Sequence, residues 1–256
     1  MEKVKLGQTG LEISQFGLGT VKFGRNQGVK YPSGFELPDE DALEKLLALA
    51  KSLGINMLDT APAYGTSEER LGRLLKGQRE DWVIVGKVGE EFEEGESSHH
   101  FTPDHFKFSL ERSLKRLDTD YIDVLMIHSD GNDMDILNDD ALIKTMHGFK
   151  EQGLVKAIGA STKTAEGGIK CLELMDVVMA TYNPDYTDEK LVLNYAAEHN
   201  KGVLLKKLLS SGNNTDIAAC IKFAFAHPGT SAAIIGTIHP EHLKSNVTIH
   251  KKYKEE

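Results

Sequence analysis

Between residues 15 and 253 short apolar runs alternate eight times with longer stretches of helical period, always in the same order. Runs such as "WVIVGK" (82–87) and "YIDVLMIHS" (121–129) are apolar almost throughout, as strands buried on both faces are. Segments such as "DEDALEKLLALAKSLG" (39–54) instead repeat apolar residues every three or four positions, at Leu43, Leu46, Leu47 and Ala50, and close on Gly54. Strands are thus predicted at 15–20, 55–60, 82–87, 121–129, 155–161, 176–183, 202–209 and 231–236. The helices follow at 39–54, 67–77, 102–117, 138–153, 164–175, 187–200, 214–227 and 240–253. Ser67 before an acidic turn, and Thr102 before Pro103, are helix-start signals. Strand-then-helix repeats demand a parallel sheet covered by helices. Eight of them in about 250 residues predict a closed (β/α)8 TIM barrel, an α/β fold in one domain spanning 1–256. An open doubly wound sheet is the alternative, and the absence of a GxGxxG at the first helix speaks against it. Ahead of the first strand, "VKLGQTGLEI" (4–13) reads as a β-hairpin able to plug the N-terminal end of a barrel.

A chain of 256 residues that is 40% apolar buries a sizeable core without disulfides or metals. Its net charge of −9 speaks against general affinity for nucleic acid or anionic membranes. Cys171 and Cys220 lie in unrelated segments and read as buried and reduced. No apolar run approaches the ~20 residues of a membrane span. The start "MEKVKLGQTG" lacks the apolar region of a signal peptide, so a cytoplasmic location is expected. The acidic "GEEFEEGESSHH" (89–100) reads as a solvated loop. Its His99 and His100 lack ligand spacing, and no metal is expected.

In a barrel of this kind functional residues sit at the C-terminal ends of the strands. The second strand leads into "LDTAPAYG", with Asp59 and Tyr64; the third ends in Lys87 and the fourth in His128. Singly, each has an ordinary explanation: a turn cap, a packing residue, a solvated cation, a structural histidine. Together, at one end of one fold, they make a proton-transfer set. A phenol is a weak proton donor at neutral pH, and a nearby ammonium favours its anion. Asp59 can hold Lys87 in place and spare the site a lone buried cation. His128 can donate a hydrogen bond to a substrate oxygen. The set lacks electrons, so a reduction needs an external hydride donor.

At these residues the sequence resembles the aldo-keto reductase family. "LDTAPAYG", "VGK" and "LMIHS" match its catalytic tetrad, "FGLGT" (16–20) its first strand, "GLVKAIGAS" (153–161) its fifth strand, and "IIGTIHPEHLKSN" (234–246) its phosphate-binding segment. The resemblance implies a (β/α)8 barrel with an N-terminal hairpin, and NADPH rather than NADH bound in extended form. It further implies reduction of aldehydes or ketones, with Tyr64 as proton donor, Lys87 and Asp59 tuning it, and His128 orienting the carbonyl. Gly19 and Thr20 would lie by the nicotinamide ribose, together with Asp59, and Ser161 would hold the carboxamide. Gly236, Thr237 and Ile238 would meet the adenosine phosphate, and His242 and Asn246 the adenine.

The chain also departs from the family pattern. Met179 stands where a glutamine usually holds the carboxamide, Lys206 where an aromatic stacks on the nicotinamide, and Ile238 where a basic residue often holds the 2′-phosphate. Either Lys206 and Lys207 reach the pyrophosphate or 2′-phosphate, or one of them points away. The cofactor and C-terminal loops read as short, as in bacterial members, and leave an open site. Loops 21–38, 88–102 and 129–138 would line it, with Phe23, Tyr31 and Phe35 as wall residues. Two further readings remain: a non-catalytic nicotinamide-binding regulatory barrel, and a lyase or isomerase using Lys87 as a Schiff base.

Overall fold

The computed structural model describes residues 1–29 and 34–255. Strands β1 (Lys3–Lys5) and β2 (Glu12–Ser14) pair antiparallel as the expected hairpin. The barrel strands begin with β3 (Phe16–Gly19), followed by a short α1 (Val21–Gly24) and then α2 (Glu40–Ser52). Next come β4 (Met57–Asp59), α3 (Ser67–Leu74) and β5 (Val83–Val88). A second hairpin, β6 (Glu90–Glu93) with β7 (Glu96–His99), interrupts the alternation before α4 (Pro103–Leu117). Then follow β8 (Ile122–His128), α5 (Asp133–Leu137), α6 (Asp140–Glu151), β9 (Val155–Ser161) and α7 (Ala165–Leu174). The chain continues through β10 (Val177–Thr181), α8 (Lys190–His199), β11 (Gly202–Lys206), α9 (Ile217–Ala226), β12 (Ala232–Ile235) and α10 (Pro240–Glu255). Strands β3, β4, β5, β8, β9, β10, β11 and β12 are parallel in that order and close into a barrel, β12 pairing with β3.

Local chemistry starts five of the helices where the sequence predicts, but Ser67 does not cap α3: it is the first helical residue, and its hydroxyl is bonded to Thr20 instead. Side chains of Asp39, Thr102, Asp139, Thr164 and Asp216 accept hydrogen bonds from first-turn amides of α2, α4, α6, α7 and α9. One expectation fails at a strand end. The strand expected over 202–209 stops at Lys206, because Lys207 takes a left-handed φ of 54° that cannot continue a ladder.

The apolar core forms two layers. Outward residues of the strands, such as Leu58, Ile84, Leu125 and Ile158, pack against the helices. Inward residues, Met57, Val85, Val124, Met126, Ala157, Met179 and Leu204 among them, fill the barrel, and Leu6 and Ile13 of the first hairpin join that inner cluster. Side chains alternate along a strand. Counting on by two from these inward residues reaches Asp59, Lys87, His128, Ser161, Thr181 and Lys206 as the top inward layer at the C-terminal mouth. Cys171 and Cys220 are both buried and free.

Of the glycine sites the tightest is Gly159 on β9, where an added Cβ would stand 1.9 Å from the Val177 carbonyl oxygen of β10. Backbone on both sides cannot swing aside there, so Gly159→Ala is expected to lower stability by about 2 kcal/mol or more. Urea unfolding followed by circular dichroism measures it; an unchanged midpoint would show that β9 and β10 are not held in this register.

Candidate active site

The mouth is organised around a lysine. Lys87 is 1% exposed, and its ammonium bonds a carboxylate oxygen of Asp59 and, at 3.0 Å, the Thr60 carbonyl oxygen. Asp59 is itself fixed from behind. Its backbone oxygen accepts from both the Thr20 amide and the Thr20 hydroxyl, each at 2.9 Å, and Ser67 donates on to Thr20 at 2.8 Å. The fully buried Thr20 hydroxyl therefore acts within the protein, joining β3, β4 and the start of α3.

Tyr64 ends a short 3-10 turn, Pro62–Tyr64, just past β4. Its hydroxyl donates to Asp59 Oδ2 at 3.4 Å, and the Lys87 ammonium lies 4.8 Å from the centre of its ring. His128 presents its ring edge-on to Tyr64, with ring centres 6.3 Å apart. The structure thus brings together all four residues singled out at the strand ends.

The stretch 89–100 is not the solvated loop its charge suggests. It forms the β6–β7 hairpin, closed by a two-residue turn with positive φ at both Glu94 and Gly95. Glu91 turns toward α4, to an ion pair with Arg112 and a 3.0 Å contact with His105. Glu90 turns the other way, and one carboxylate oxygen stands 2.9 Å from His128 Nδ1. Nδ1 is buried and has no other polar partner among the described residues. Burial alone would push the Glu90 carboxyl up. His128, Ser97 and His99 together outweigh it, His128 most of the three, and hold the group down to about 2. Burial pushes His128 down, opposed by Glu90 and reinforced by Lys87 and Lys206.

Arg25 completes the frame. It lies 3.7 Å from Glu90, donates to the Ala63 carbonyl at 3.0 Å and to Ser97 at 3.3 Å, and its guanidinium stacks 3.6 Å from the Phe92 ring centre. Sequence reasoning missed both Glu90 and Arg25. The available signal was the alternation of Glu90 and Phe92 with Glu91 and Glu93 just after Gly89, a strand period hidden by its acidity.

On the far side of the mouth, Ser161 pairs in register with His128 and with Met179, which is buried in the inner cluster. The half-buried Lys206 donates to Ser161 Oγ at 3.0 Å and to the Thr162 carbonyl. Burial pushes its amine down to about 8, against the pull of Glu189. Lys207 is exposed on the turn that follows. Of the expected wall residues, Phe23 is wholly buried in the core and lines nothing, Phe35 lies 4.9 Å below the Lys22 ammonium, and Tyr31 falls outside the described residues.

Gly19 pairs with Asp59 at the top of β3, and a Cβ on it would stand 3.5 Å from Gly236 Cα. Gly236 follows β12, and Thr237 Oγ1 accepts the His239 amide at 3.1 Å just before α10. Ile238 is half-buried and His242 is exposed. Asn246 is 3% exposed, and its side-chain oxygen takes no hydrogen bond from the described residues. A buried acceptor left open on the second turn of α10, with the Gly236–Ile238 segment ahead of that helix's N-terminus, suits a ligand that carries both a phosphate and an amino group, as an adenosine phosphate does. The residues present therefore fit a nicotinamide cofactor.

A groove of about 580 Å³ on the outer face between α3 and α4 holds none of these residues. Its Arg73, Arg112 and Arg116 are paired with Glu40, Glu91, Glu68 and Glu69. Among the described residues no three His, Cys, Asp or Glu side chains stand together as a metal site, and no helix is long and apolar enough to cross a membrane.

A sequence profile described as the Aldo/keto reductase family matches residues 15–216. The chain belongs to that family. A Pseudomonas aeruginosa protein provisionally described as an aldo-keto reductase has a solved structure 50% identical in sequence, with a TM-score of 0.92 over 98% of this chain and 95% of that one. Aldo-keto reductase YhdN of Bacillus subtilis is 29% identical over 83% of this chain and 63% of its own length. The NADH-specific methylglyoxal reductase of Escherichia coli is 30% identical over 72% of this chain and 59% of its own. The chain spans about half to two-thirds of the length of the curated relatives it matches.

Two outcomes follow from this geometry. Lys87→Met strands the buried Asp59 carboxylate and is expected to cost about 3–5 kcal/mol, whereas Lys87→Met with Asp59→Asn recovers most of that loss. Denaturant midpoints of the two variants decide it; equal losses would mean that the pair is not coupled. Glu90, whose folded value of about 2 lies below its ordinary 4.5, contributes stability above pH 4.5 that is lost as pH falls toward 2. The stability gap between the native protein and Glu90→Gln should therefore shrink between pH 5.5 and pH 3, read as urea midpoints.

Proposed function

We propose that this protein is a nicotinamide-dependent reductase of aldehydes or ketones. The observation that carries the reading is the buried Lys87–Asp59 pair set against Tyr64, with His128 edge-on to the same phenol. The nicotinamide, when bound, supplies the hydride. Everything else falls to this chain. Tyr64 gives its proton to the oxygen of the carbonyl. The Lys87 ammonium at its ring stabilises the negative charge left on the phenol, and being already paired with Asp59 it needs no reorganisation to do so. His128 orients the carbonyl oxygen, and Lys206 with Ser161 forms a polar end to the pocket suited to a carboxamide.

For the cofactor, Asn246 would take the adenine amino group, with His242 beside it, and the segment Gly236, Thr237 and Ile238 before α10 would take the adenosine phosphate. Gly19 leaves room by the ribose. We favour NADPH over NADH because Lys207 sets an exposed cation just past β11, although one relative is named as NADH-specific. Small aldehydes are the first substrates to try, methylglyoxal among them.

Turnover is followed by loss of reduced-nicotinamide absorbance with a panel of aldehydes. Tyr64→Phe is expected to lower kcat by about 10²- to 10⁴-fold while leaving cofactor affinity unchanged. Calorimetry with NADPH and NADH measures that affinity. Trp82 is a poor reporter, being buried just before β5 at the barrel end away from Lys87. Binding without turnover on any carbonyl would favour a regulatory barrel; full turnover by Tyr64→Phe would refute Tyr64 as the proton donor.

A further inference from the structure

The proposed reaction uses one nitrogen of His128 and says nothing of the other. That second nitrogen, Nδ1, is buried and faces a carboxylate oxygen of Glu90 at 2.9 Å. Glu90 is not a loose neighbour. It leads the β6–β7 hairpin straight out of β5 through Gly89, and its other oxygen lies 3.7 Å from Arg25. Arg25 is tied to the Tyr64 turn through the Ala63 carbonyl and to the hairpin through Ser97 and Phe92. Two separate segments thus converge to hold one carboxylate against one imidazole nitrogen.

A neutral imidazole carries one ring proton, and an ionised carboxylate only accepts. A bare Nδ1 lone pair facing Glu90 would be repelled, so the ring proton belongs on Nδ1. Nε2 is then left bare while the ring is neutral and becomes a donor only when the ring takes a second proton. Resting on the reductase reading, we propose that Glu90 is the positioning residue of His128, holding the ring proton on Nδ1 so that Nε2 meets the substrate oxygen as a donor only in the doubly protonated ring.

The two directions of the reaction then ask for different forms of one side chain. Reduction needs the charged ring, whose Nε2–H points a hydrogen bond at the carbonyl while Tyr64 delivers the proton that is consumed. Alcohol oxidation is served by the neutral ring, whose bare Nε2 accepts from the alcohol hydroxyl. His128 gives up no proton in either direction; it only orients. The charges facing it are Glu90 from β6, Lys87 from β5 and Lys206 from β11, with Tyr64 edge-on; Arg25 and His99 face Glu90 in turn. Glu90 is the one member of the first group that favours the charged ring.

The direct test is nitrogen NMR of the full-length protein labelled with ¹⁵N-histidine, with His128 assigned by comparison with His128→Asn. The neutral ring at high pH is expected to carry its proton on Nδ1. A proton on Nε2 in the native protein would overturn the proposal, and this measurement stands whether or not the protein reduces carbonyls. Glu90→Met, of similar length but without charge or donor, supplies the second arm. Its fall in kcat/KM for reduction with rising pH should begin at least about one pH unit lower than in the native protein. An unmoved pH profile in a variant with a native-like amide spectrum would overturn the proposal. Failure of both proteins to turn over any carbonyl would count against the reductase reading and leave the tautomer result to decide this one.

Discussion

An ammonium sealed inside a barrel is costly, since removing a charge from water costs several kcal/mol even after relaxation. Lys87 is held there only because Asp59 reaches it from the neighbouring strand and the Thr60 carbonyl caps it. That requirement propagates outward. Asp59 must be immobile, so Thr20 and Ser67 grip its backbone, and through them β3, β4 and α3 are locked at one level. The Tyr64 turn then has one place to go, over the lysine.

The rest of the mouth repeats the principle of a charge with a counter-charge on the next element. Glu90 stands between His128 and Arg25, and Glu189 draws on Lys206. Such compensation lets a low-dielectric pocket hold several ionised groups, and low dielectric strengthens each one's effect on a reacting oxygen. The hairpin over residues 90–99 serves this end, because Arg25 binds it to the same turn that carries Tyr64.

Much of this was legible in the residues. The eight apolar runs and their amphipathic followers could be counted, and helix starts lay within three residues of their capping side chains. Asp59, Lys87 and His128 were visible because a strand's last inward residue is marked by a polar side chain ending an apolar run. The acidic hairpin was not legible. Its turn uses Glu94-Gly95 rather than one of the strong hairpin pairs, and four glutamates in five positions look like a solvated face until their partners are known. Those partners, His128, Arg112 and Arg25, lie 21 or more positions away in the chain or on separate elements. The burial of Phe23 was not legible for the same reason: whether a loop aromatic faces the pocket or the core depends on how the loop lies.

By itself the sequence determined the order and kind of the elements, the closure they imply and the polar residues that end the strands, because side-chain period and capping act over a few neighbouring residues. Only the tertiary structure decided which charges meet: that Glu90 faces the histidine while Glu91 faces away, that Lys206 lies against Ser161 and that Lys207 turns out to solvent. Those choices rest on strand register, on one-residue changes of side and on a single left-handed φ. They are made by packing between segments far apart in the chain, where local preference has no say.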